Sequence, residues 1–400
     1  MSEIENILNV IKNDAIRKAT QQGIPKSNLY IDVGVFNAGD VINAGQQIIN
    51  VPKPSIMVFA DDDPLHNWSH PCRYILYDAM NGSFIEEINA RFPPHMTKVP
   101  SSYSPFFQPI THSSSMENLP PLVQQPKTNL LFNKFGGQRF AVLFSGASEY
   151  RHVNDLQYLY NQLTGVYKFL PENIYVLNYD GTTAYSSFTK PVDIFPIMDV
   201  PYSMPVNAAG TQSELNNVFD ELKSRLKPDD LLFILTDNHG DGPIGNYDTG
   251  SKLTMESSLC TYSPPGVLIN YPASEFADTL GGLPKFAQLI VLMEQCHSGG
   301  FALPIISKSP AEKTCFMASC QYDQCSLGGL YFDPFVNTWT AGISGVDESF
   351  NNTVELFSTS QVANSVQSAF NSAKNCVAED IPVMSDSPSG CGSLMVLGSA

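Results

Sequence analysis

The chain has 400 residues, of which 39 are acidic and 22 basic, so its formal net charge is −17 at neutral pH. Hydrophobic residues make up 43% of it, which is too much for a mainly disordered chain, and no run of about 20 apolar residues could span a bilayer. A net charge of this sign argues against a nucleic-acid partner, since phosphate backbones require clustered Lys and Arg. These values indicate an acidic, globular protein of one to three domains with no membrane span.

The number and spacing of the cysteines indicate whether the chain binds a metal, and the N-terminal residues indicate its cellular compartment. Eight Cys are far fewer than a small disulfide-stabilised scaffold contains, and none belongs to a Cys-x-x-Cys pair. The spacing of Cys315, Cys320 and Cys325 is not that of a zinc knuckle, so we expect free, buried thiols. No loop has clear Ca²⁺-ligand spacing, and no metal or organic cofactor is predicted. Residues 1–22 lack the apolar core of a secretory signal, and we expect a cytoplasmic protein.

The first 137 residues divide into three segments by composition. Within 1–27, apolar side chains recur at helical spacing, which predicts an amphipathic helix that docks on the protein or on a partner. Runs of β-branched and aromatic residues, separated by turn formers, then predict a small β-rich domain at 28–92. Residues 93–137 contain eight Pro and six Ser without sustained periodicity, which predicts a linker.

From residue 138 onward, continuous apolar runs alternate with amphipathic helical segments. One of these helices is predicted to begin at a capping box that joins Thr211 and Glu214. Such alternation predicts βαβ units and a parallel sheet that is covered on both faces, so we interpret 138–400 as one α/β domain. The predicted strands are 140–144, 173–177, 231–235, 289–293 and 314–318.

A His and a Cys follow two consecutive predicted strands. His239 is followed by Gly240, and Cys296 lies three positions before Gly299. Because parallel strands end at one edge of a sheet, these side chains can converge, with the thiolate of Cys296 as nucleophile and His239 as general base and later acid. The backbone amides of Gly240 and Cys296 would then face the oxyanion. The alternative is that Cys296 is a structural thiol and His239 a turn residue.

Two segments resemble the signatures of legumain-like cysteine peptidases, the asparaginyl endopeptidases. Residues 235–240 (Leu-Thr-Asp-Asn-His-Gly) are similar to the family's His-Gly motif, and 293–300 (Met-Glu-Gln-Cys-His-Ser-Gly-Gly) to its Glu-x-Cys-x-Ser-Gly motif. The resemblance covers roughly residues 138–345. It implies a caspase-like three-layer α/β/α sandwich with a mostly parallel sheet, and a peptide or protein substrate.

A third segment, 150–155, resembles the legumain sequence Tyr-Arg-His-x-x-Asp. The resemblance implies that the pocket for the P1 side chain is lined by Arg151, by Glu294 from the Glu-x-Cys motif, and by Asp333. A cation can donate to an Asn carbonyl while carboxylates accept from its NH₂ group, so cleavage is implied after Asn, and after Asp at low pH. Simpler roles stay open: Arg151 as a surface partner of Asp155, and Asp333 as the cap of a helix.

The chain departs from the legumain pattern at two positions. Asn238 stands where the family has an Asp directly before the catalytic His, and Glu149 stands where it has the Asn that helps to orient that His. A Glu can also orient His239 and raise its basicity, so Glu149 is the predicted orienting residue. His297 is a metacaspase-like feature, but Arg151 would repel the basic P1 residues that metacaspases prefer.

Three functions stay open for this chain. The first is an endopeptidase made as a self-restrained zymogen, in which 93–137 and the β-rich domain form an intramolecular pro-region that shields Cys296; the same stretch could equally be a passive linker. The second is an inactive caspase-like scaffold or peptide-binding module. The third is a transamidase that uses the same acyl-enzyme. Candidate sites of self-cleavage are Asn118, Asn129, Asn133, Asn351 and Asn352.

Overall fold

The structure is a computed structural model, and its chain divides into two compact units. One unit is Met1–Ser113 with Ser187–Thr189, and the other is Ser114–Ser186 with Lys190–Ala400. No helix within the described residues combines the length and apolar character needed to cross a bilayer. The residues described are 3–20, 27–44, 47–62, 71–90, 94, 100–109, 136–185, 202–243, 256–263, 269–329, 332–344, 365–374 and 380–398.

The first unit is built on an antiparallel sheet of five strands, in the order β6-β5-β4-β1-β7. One face of the sheet packs against Ile11 and Ala15 of helix α1, while the other packs against Ile42 and Ile49 of the β2–β3 hairpin. The helix therefore buries its apolar stripe, as its periodicity predicts. The elements are α1 (Glu3–Ala19), β1 (Asn28–Phe36), β2 (Val41–Ala44), β3 (Gln47–Asn50), β4 (Ser55–Asp61), β5 (Cys72–Asp78), β6 (Phe84–Ala90) and β7 (Tyr103–Phe107).

Strand β7 lies inside the segment that composition predicts as a linker. It pairs antiparallel with β1 and forms an edge of the sheet. Pro105 cannot donate a hydrogen bond to a sheet ladder, but an edge strand tolerates it because one side of the strand has no neighbour. Residues 103–107 are thus a strand rather than a linker. The residues 110–135, with the candidate cleavage sites Asn118, Asn129 and Asn133, lie outside the described residues.

The second unit contains a six-stranded sheet in the order β16-β15-β14-β10-β8-β9. Five neighbouring strands run parallel, and β16 pairs antiparallel with β15 at one edge. The prediction of an α/β unit with a mostly parallel sheet is confirmed. The elements are β8 (Arg139–Ser145), α2 (Tyr150–Gly165), β9 (Ile174–Asn178), α3 (Gln212–Arg225), β10 (Leu231–Thr236), β11 (Gly240–Asp241), β12 (Ser258–Thr261), β13 (Ile269–Pro272), α4 (Ala273–Gly281), β14 (Phe286–Met293), α5 (Ala302–Lys308), β15 (Ala311–Ala318), α6 (Pro334–Ser344), α7 (Val366–Ala373) and β16 (Val383–Ser387).

Helices cover both faces of this sheet. Alternate residues of each central strand belong to separate cores, as Phe233 packs with Trp339 of α6 while Ile234 packs with Phe219 of α3. One core is shared with α2, α6 and α7, and the other with α3, α4 and α5. Strands buried on both faces require apolar side chains at every position, which explains their continuous apolar runs.

The register of the sheet brings the carboxyl ends of its central strands to one edge. Thr236 at the end of β10 lies opposite Phe144 of β8 and Met293 of β14, and Met293 lies opposite Ala318 of β15. The loops that leave β8, β10, β14 and β15 therefore begin side by side. The small β11-β12-β13 sheet follows the β10 loop and was not predicted, since its strands have only two to four residues.

Candidate active site

The loops that carry His239 and Cys296 lie against each other at this edge of the sheet. β10 and β14 are neighbours, and beyond their ends the Glu294 N–H donates to the Thr236 carbonyl at 2.9 Å. Gly240 approaches the Cys296 backbone so closely that a Cβ atom at residue 240 would lie 2.2 Å from the Cys296 carbonyl oxygen. Cys296 and His239 are both buried. The structure thus brings together the loops of the two residues predicted as a catalytic dyad.

The close approach at Gly240 makes this residue sensitive to any side chain. Gly240→Ala is expected to lower the free energy of unfolding by about 1–3 kcal/mol, because the new methyl group would clash with backbone that cannot rotate away. Unfolding by urea of the purified full chain measures this. Gly165→Ala is the matched control, since no atom lies within 4 Å of the Cβ position there. Equal unfolding midpoints for the two variants would contradict the proposed packing of the loops.

Glu149 holds the ring of His239. The Glu149 Oε1 and His239 Nε2 atoms are 3.1 Å apart, and Arg151 Nη1 donates to the other carboxylate oxygen. Burial works to raise the pKa of Glu149, but Arg151 and His239 outweigh it and lower that pKa to about 2. An ionised carboxylate at Nε2 keeps the proton of the neutral ring there, so Nδ1 carries the basic lone pair. The geometry is that expected of an orienting residue.

The side-chain amide of Asn238, directly before His239, makes two hydrogen bonds that an Asp could not both make. Its Oδ1 accepts from the Ala147 N–H at 2.8 Å, while its Nδ2 donates to the Cys260 carbonyl. An ionised Asp could accept the first of these bonds but could not donate the second. Asn238 therefore joins the loop after β8 to strand β12.

The chain turns sharply after Cys296. His297 adopts a left-handed backbone conformation with φ of 62°, which is uncommon for a residue other than Gly, and its N–H donates to the Gln324 carbonyl at 2.7 Å. His297 Nδ1 lies 2.9 Å from the Tyr322 carbonyl, an acceptor, so this nitrogen carries the proton. Ser326 Oγ lies 3.9 Å from Cys296 Sγ, a contact that no sequence motif indicates.

Two of the three predicted pocket residues are in direct contact. Arg151 Nε is 2.9 Å from Asp333 Oδ1, and both side chains are largely buried. Asp155 does not share this ion pair; its Oδ2 accepts from the Asp333 N–H at 2.7 Å. The alternative of a surface pair between Arg151 and Asp155 is therefore wrong. Burial opposes the charge of Arg151, but Glu149 and Asp333 outweigh it and raise the pKa of the guanidinium.

Glu294, the third predicted pocket residue, is completely buried at the end of β14. Neither of its carboxylate oxygens has a hydrogen-bond partner among the described residues. Burial raises the pKa of Glu294 well above its usual range, and the nearby carboxylates of Asp333 and Asp237 raise it further. Such a group is costly to ionise unless a donor or a cation reaches it.

His152, Asp237 and Asp333 form a cluster in which one ligand atom from each lies within 4.8 Å of the others. This spacing could hold a metal ion, but the hydrogen bonding of His152 does not fit one. The Glu149 N–H donates to His152 Nδ1 at 3.0 Å, so the proton of the neutral ring must reside on Nε2, the atom that faces the carboxylates. Burial keeps the ring neutral by lowering the pKa of His152 well below its usual range, with Arg151 adding to this. The Nε2–H of His152 thus lies 3.4 Å from Asp333 Oδ2, and none of the described residues accepts a hydrogen bond from it.

No protein-family profile matches the sequence, and no curated protein matches it. Among solved structures, a Geobacter sulfurreducens protein matches with 11% identity and a TM-score of 0.40, over 62% of this chain and 93% of that one. A secreted C11 cysteine protease from Bacteroides thetaiotaomicron, solved with an irreversible peptide inhibitor, matches with 14% identity and a TM-score of 0.30. That match spans 61% of this chain and 59% of the protease.

Proposed function

We propose that the protein is a cysteine endopeptidase of the caspase-like clan in which Cys296 is the nucleophile and His239 the general base. The observation that carries the proposal is the contact of the Gly240 backbone with Cys296 at the carboxyl ends of two neighbouring strands. A thiol needs a nearby imidazole to take its proton, and the imidazole needs an orienting partner, which Glu149 provides. The amides of Gly240 and Cys296 are the proposed donors to the oxyanion.

The proposed specificity is cleavage after Asn. Arg151, Asp333 and Glu294 offer one donor group and two acceptors, which match the carbonyl and the NH₂ of an amide side chain. A P1 Asp could donate from its protonated carboxyl, so cleavage after Asp is proposed at low pH only. The zymogen proposal rests on the sequence of 93–137, and its cleavage sites lie outside the described residues.

Covalent labelling tests this function directly. The full chain is incubated between pH 4 and pH 8 with a peptide that carries P1 Asn and a thiol-reactive electrophile, and the labelled residue is identified by peptide mapping. We expect label on Cys296 alone, because its loop contacts that of the general base. A matched probe with P1 Lys should react at least about tenfold more slowly, since Arg151 repels a cation.

The outcomes separate the three functions that the sequence leaves open. No label on Cys296 at any of these pH values would contradict an enzyme and favour a scaffold. Equal label on buried Cys320 would show that the probe reacts without recognition. Incubation of a P1 Asn peptide with an added amine then distinguishes hydrolysis, which releases the free acid, from transamidation, which yields the new amide.

A further inference from the structure

Asp237 is a buried carboxylate that the proposed mechanism does not use. It follows β10 directly, and its N–H donates to the Phe144 carbonyl at 3.0 Å, so its backbone extends the pairing of β10 with β8 by one residue. This fixes the position of its side chain at the edge where the loops of His239 and Cys296 begin. Along the chain, Asp237 is one residue from Asn238 and two from His239.

The side chain of Asp237 lies in the same cluster as Asp333. Its carboxylate, that of Asp333 and His152 Nε2 lie within 4.8 Å of one another, and Asp333 in turn pairs with Arg151 at 2.9 Å. Glu294 is close enough that its charge and that of Asp237 act on each other. Asp237 thus adds a carboxyl group to the three residues proposed to line the P1 pocket.

No donor of the described residues satisfies Asp237. Both of its oxygens are buried and have no hydrogen-bond partner in the part of the chain that the structure describes, and the same holds for both oxygens of Glu294. The carboxyls of Asp155 and Asp333 can share a bond with it only while one of the groups holds a proton, and burial together with these neighbours raises the pKa of Asp237 well above its usual range. Asp237 also acts electrostatically on Arg151. A ligand with N–H groups and a carbonyl would supply the donors that these two buried acceptor groups lack and the acceptor that suits the Arg.

We infer that Asp237 is a specificity-determining residue of this proposed pocket, where an oxygen of its carboxyl group accepts a hydrogen bond from the side-chain amide of a P1 Asn. The inference rests on the proposed function. An amide has two N–H donors, and in this refined assignment Asp237 and Glu294 accept from them. Asp333, the third carboxyl of the proposed pocket, then holds Arg151 by their ion pair, and the guanidinium faces the amide carbonyl. A Lys side chain would bring N–H donors but also a second positive charge beside Arg151, and an ionised Asp side chain would bring no donor at all.

The test is Asp237→Asn, assayed with matched peptides that carry P1 Asn or P1 Asp. The variant replaces an acceptor with an NH₂ donor of the same shape. We expect kcat/KM for P1 Asn to fall about 10- to 100-fold and the Asp-to-Asn preference ratio to rise at least about tenfold, because the new donor suits a carboxylate. A structural role alone would lower both rates and leave this ratio unchanged.

Asp230→Asn is the matched control. Asp230 is a buried aspartate directly before the other end of β10, where its carboxylate accepts from the N–H groups of Gln138 and Lys227. This variant should keep the preference ratio of the wild type. If the wild type cleaves P1 Asn peptides and Asp237→Asn keeps the same ratio, the inference is overturned while the proposed function stands. A wild type that cleaves no P1 Asn peptide overturns the proposed function and, with it, this inference.

A substrate analogue keeps the inference testable if Asp237→Asn does not fold. A P1 residue whose side chain ends in a methyl ketone has the shape and carbonyl of Asn but no N–H donor. The wild type should cleave this peptide about 100-fold less efficiently than the Asn peptide, because the two carboxylates would face a methyl group. Equal cleavage of both peptides would overturn the inference.

Discussion

Cys296→Ala is expected to lower kcat/KM on a P1 Asn peptide by about 10⁴-fold or more, since the variant has no atom that can form the acyl-enzyme. The control is Cys320→Ser. Cys320 is a second buried thiol close to the site, whose Sγ contacts the Gln295 and Gln324 carbonyls at 3.6 and 3.3 Å. Burial raises the pKa of Cys320 to about 12, so it is no thiolate at neutral pH, and a Ser hydroxyl can keep its contacts. This control should retain activity within a few-fold.

Loss of activity in both variants would indicate a packing defect, and full activity of Cys296→Ala would contradict the assignment of the nucleophile. The same pair of proteins tests self-processing. Intact-mass spectra of the purified wild type and Cys296→Ala should differ, with fragments only in the wild type. Identical intact masses would argue against a zymogen without bearing on cleavage of other peptides.

Glu149→Gln is expected to lower kcat by about 10²-fold or more. The Glu149 carboxylate lies 3.1 Å from His239 Nε2. In the proposed mechanism it orients the ring and stabilises the imidazolium that forms when the thiol proton is taken up. Gln has nearly the same shape but no charge. The limb of the pH–rate profile that reports the imidazole should therefore move to lower pH. Steady-state kinetics between pH 4 and pH 9 measure both effects.

Glu221→Gln serves as the control, because Glu221 also pairs with an Arg, in this case Arg225 on the same helix, and contacts the Tyr175 hydroxyl. It belongs to α3, away from the site, and its loss should leave the profile unchanged. An unchanged pH profile in Glu149→Gln would show that this residue only supports the fold. Since the pKa of Glu149 is about 2, the carboxylate itself stays ionised across the whole range of the assay.

Four of the chain's many acidic residues are clustered in this site. Asp155, Asp237, Glu294 and Asp333 are all buried, and Glu294 is close enough to the other three for their charges to act on it. Burial raises the pKa of each of these four carboxyls. Sequence motifs indicate two of them, Glu294 and Asp333, as pocket residues. Asp237 lies shortly after a predicted strand and one residue before Asn238, and no local pattern distinguishes its carboxylate from one on the surface.

The strands that the sequence does not predict went undetected for one physical reason. The half-polar strand β16 and the Pro-containing strand β7 are edge strands, whose stability depends on a partner far away in the chain. The short strands β11, β12 and β13 were not predicted for the same reason. They are stabilised by pairing with each other, and Gly240 belongs to the first of them. Local periodicity cannot indicate pairing of this kind, because the information lies in the partner strand.

By itself, the sequence determined the buried parallel strands, the helices between them and the kinds of residues at the ends of β10 and β14. Those features are local, since a strand covered on both faces needs a continuous apolar run and a helix needs apolar side chains at helical spacing. Only the tertiary structure decided which charged groups meet: Glu149 with His239, Arg151 with Asp333, and Asp237 with both Asp333 and His152. These contacts join loops from different strands, so the order of the strands in the sheet determines them.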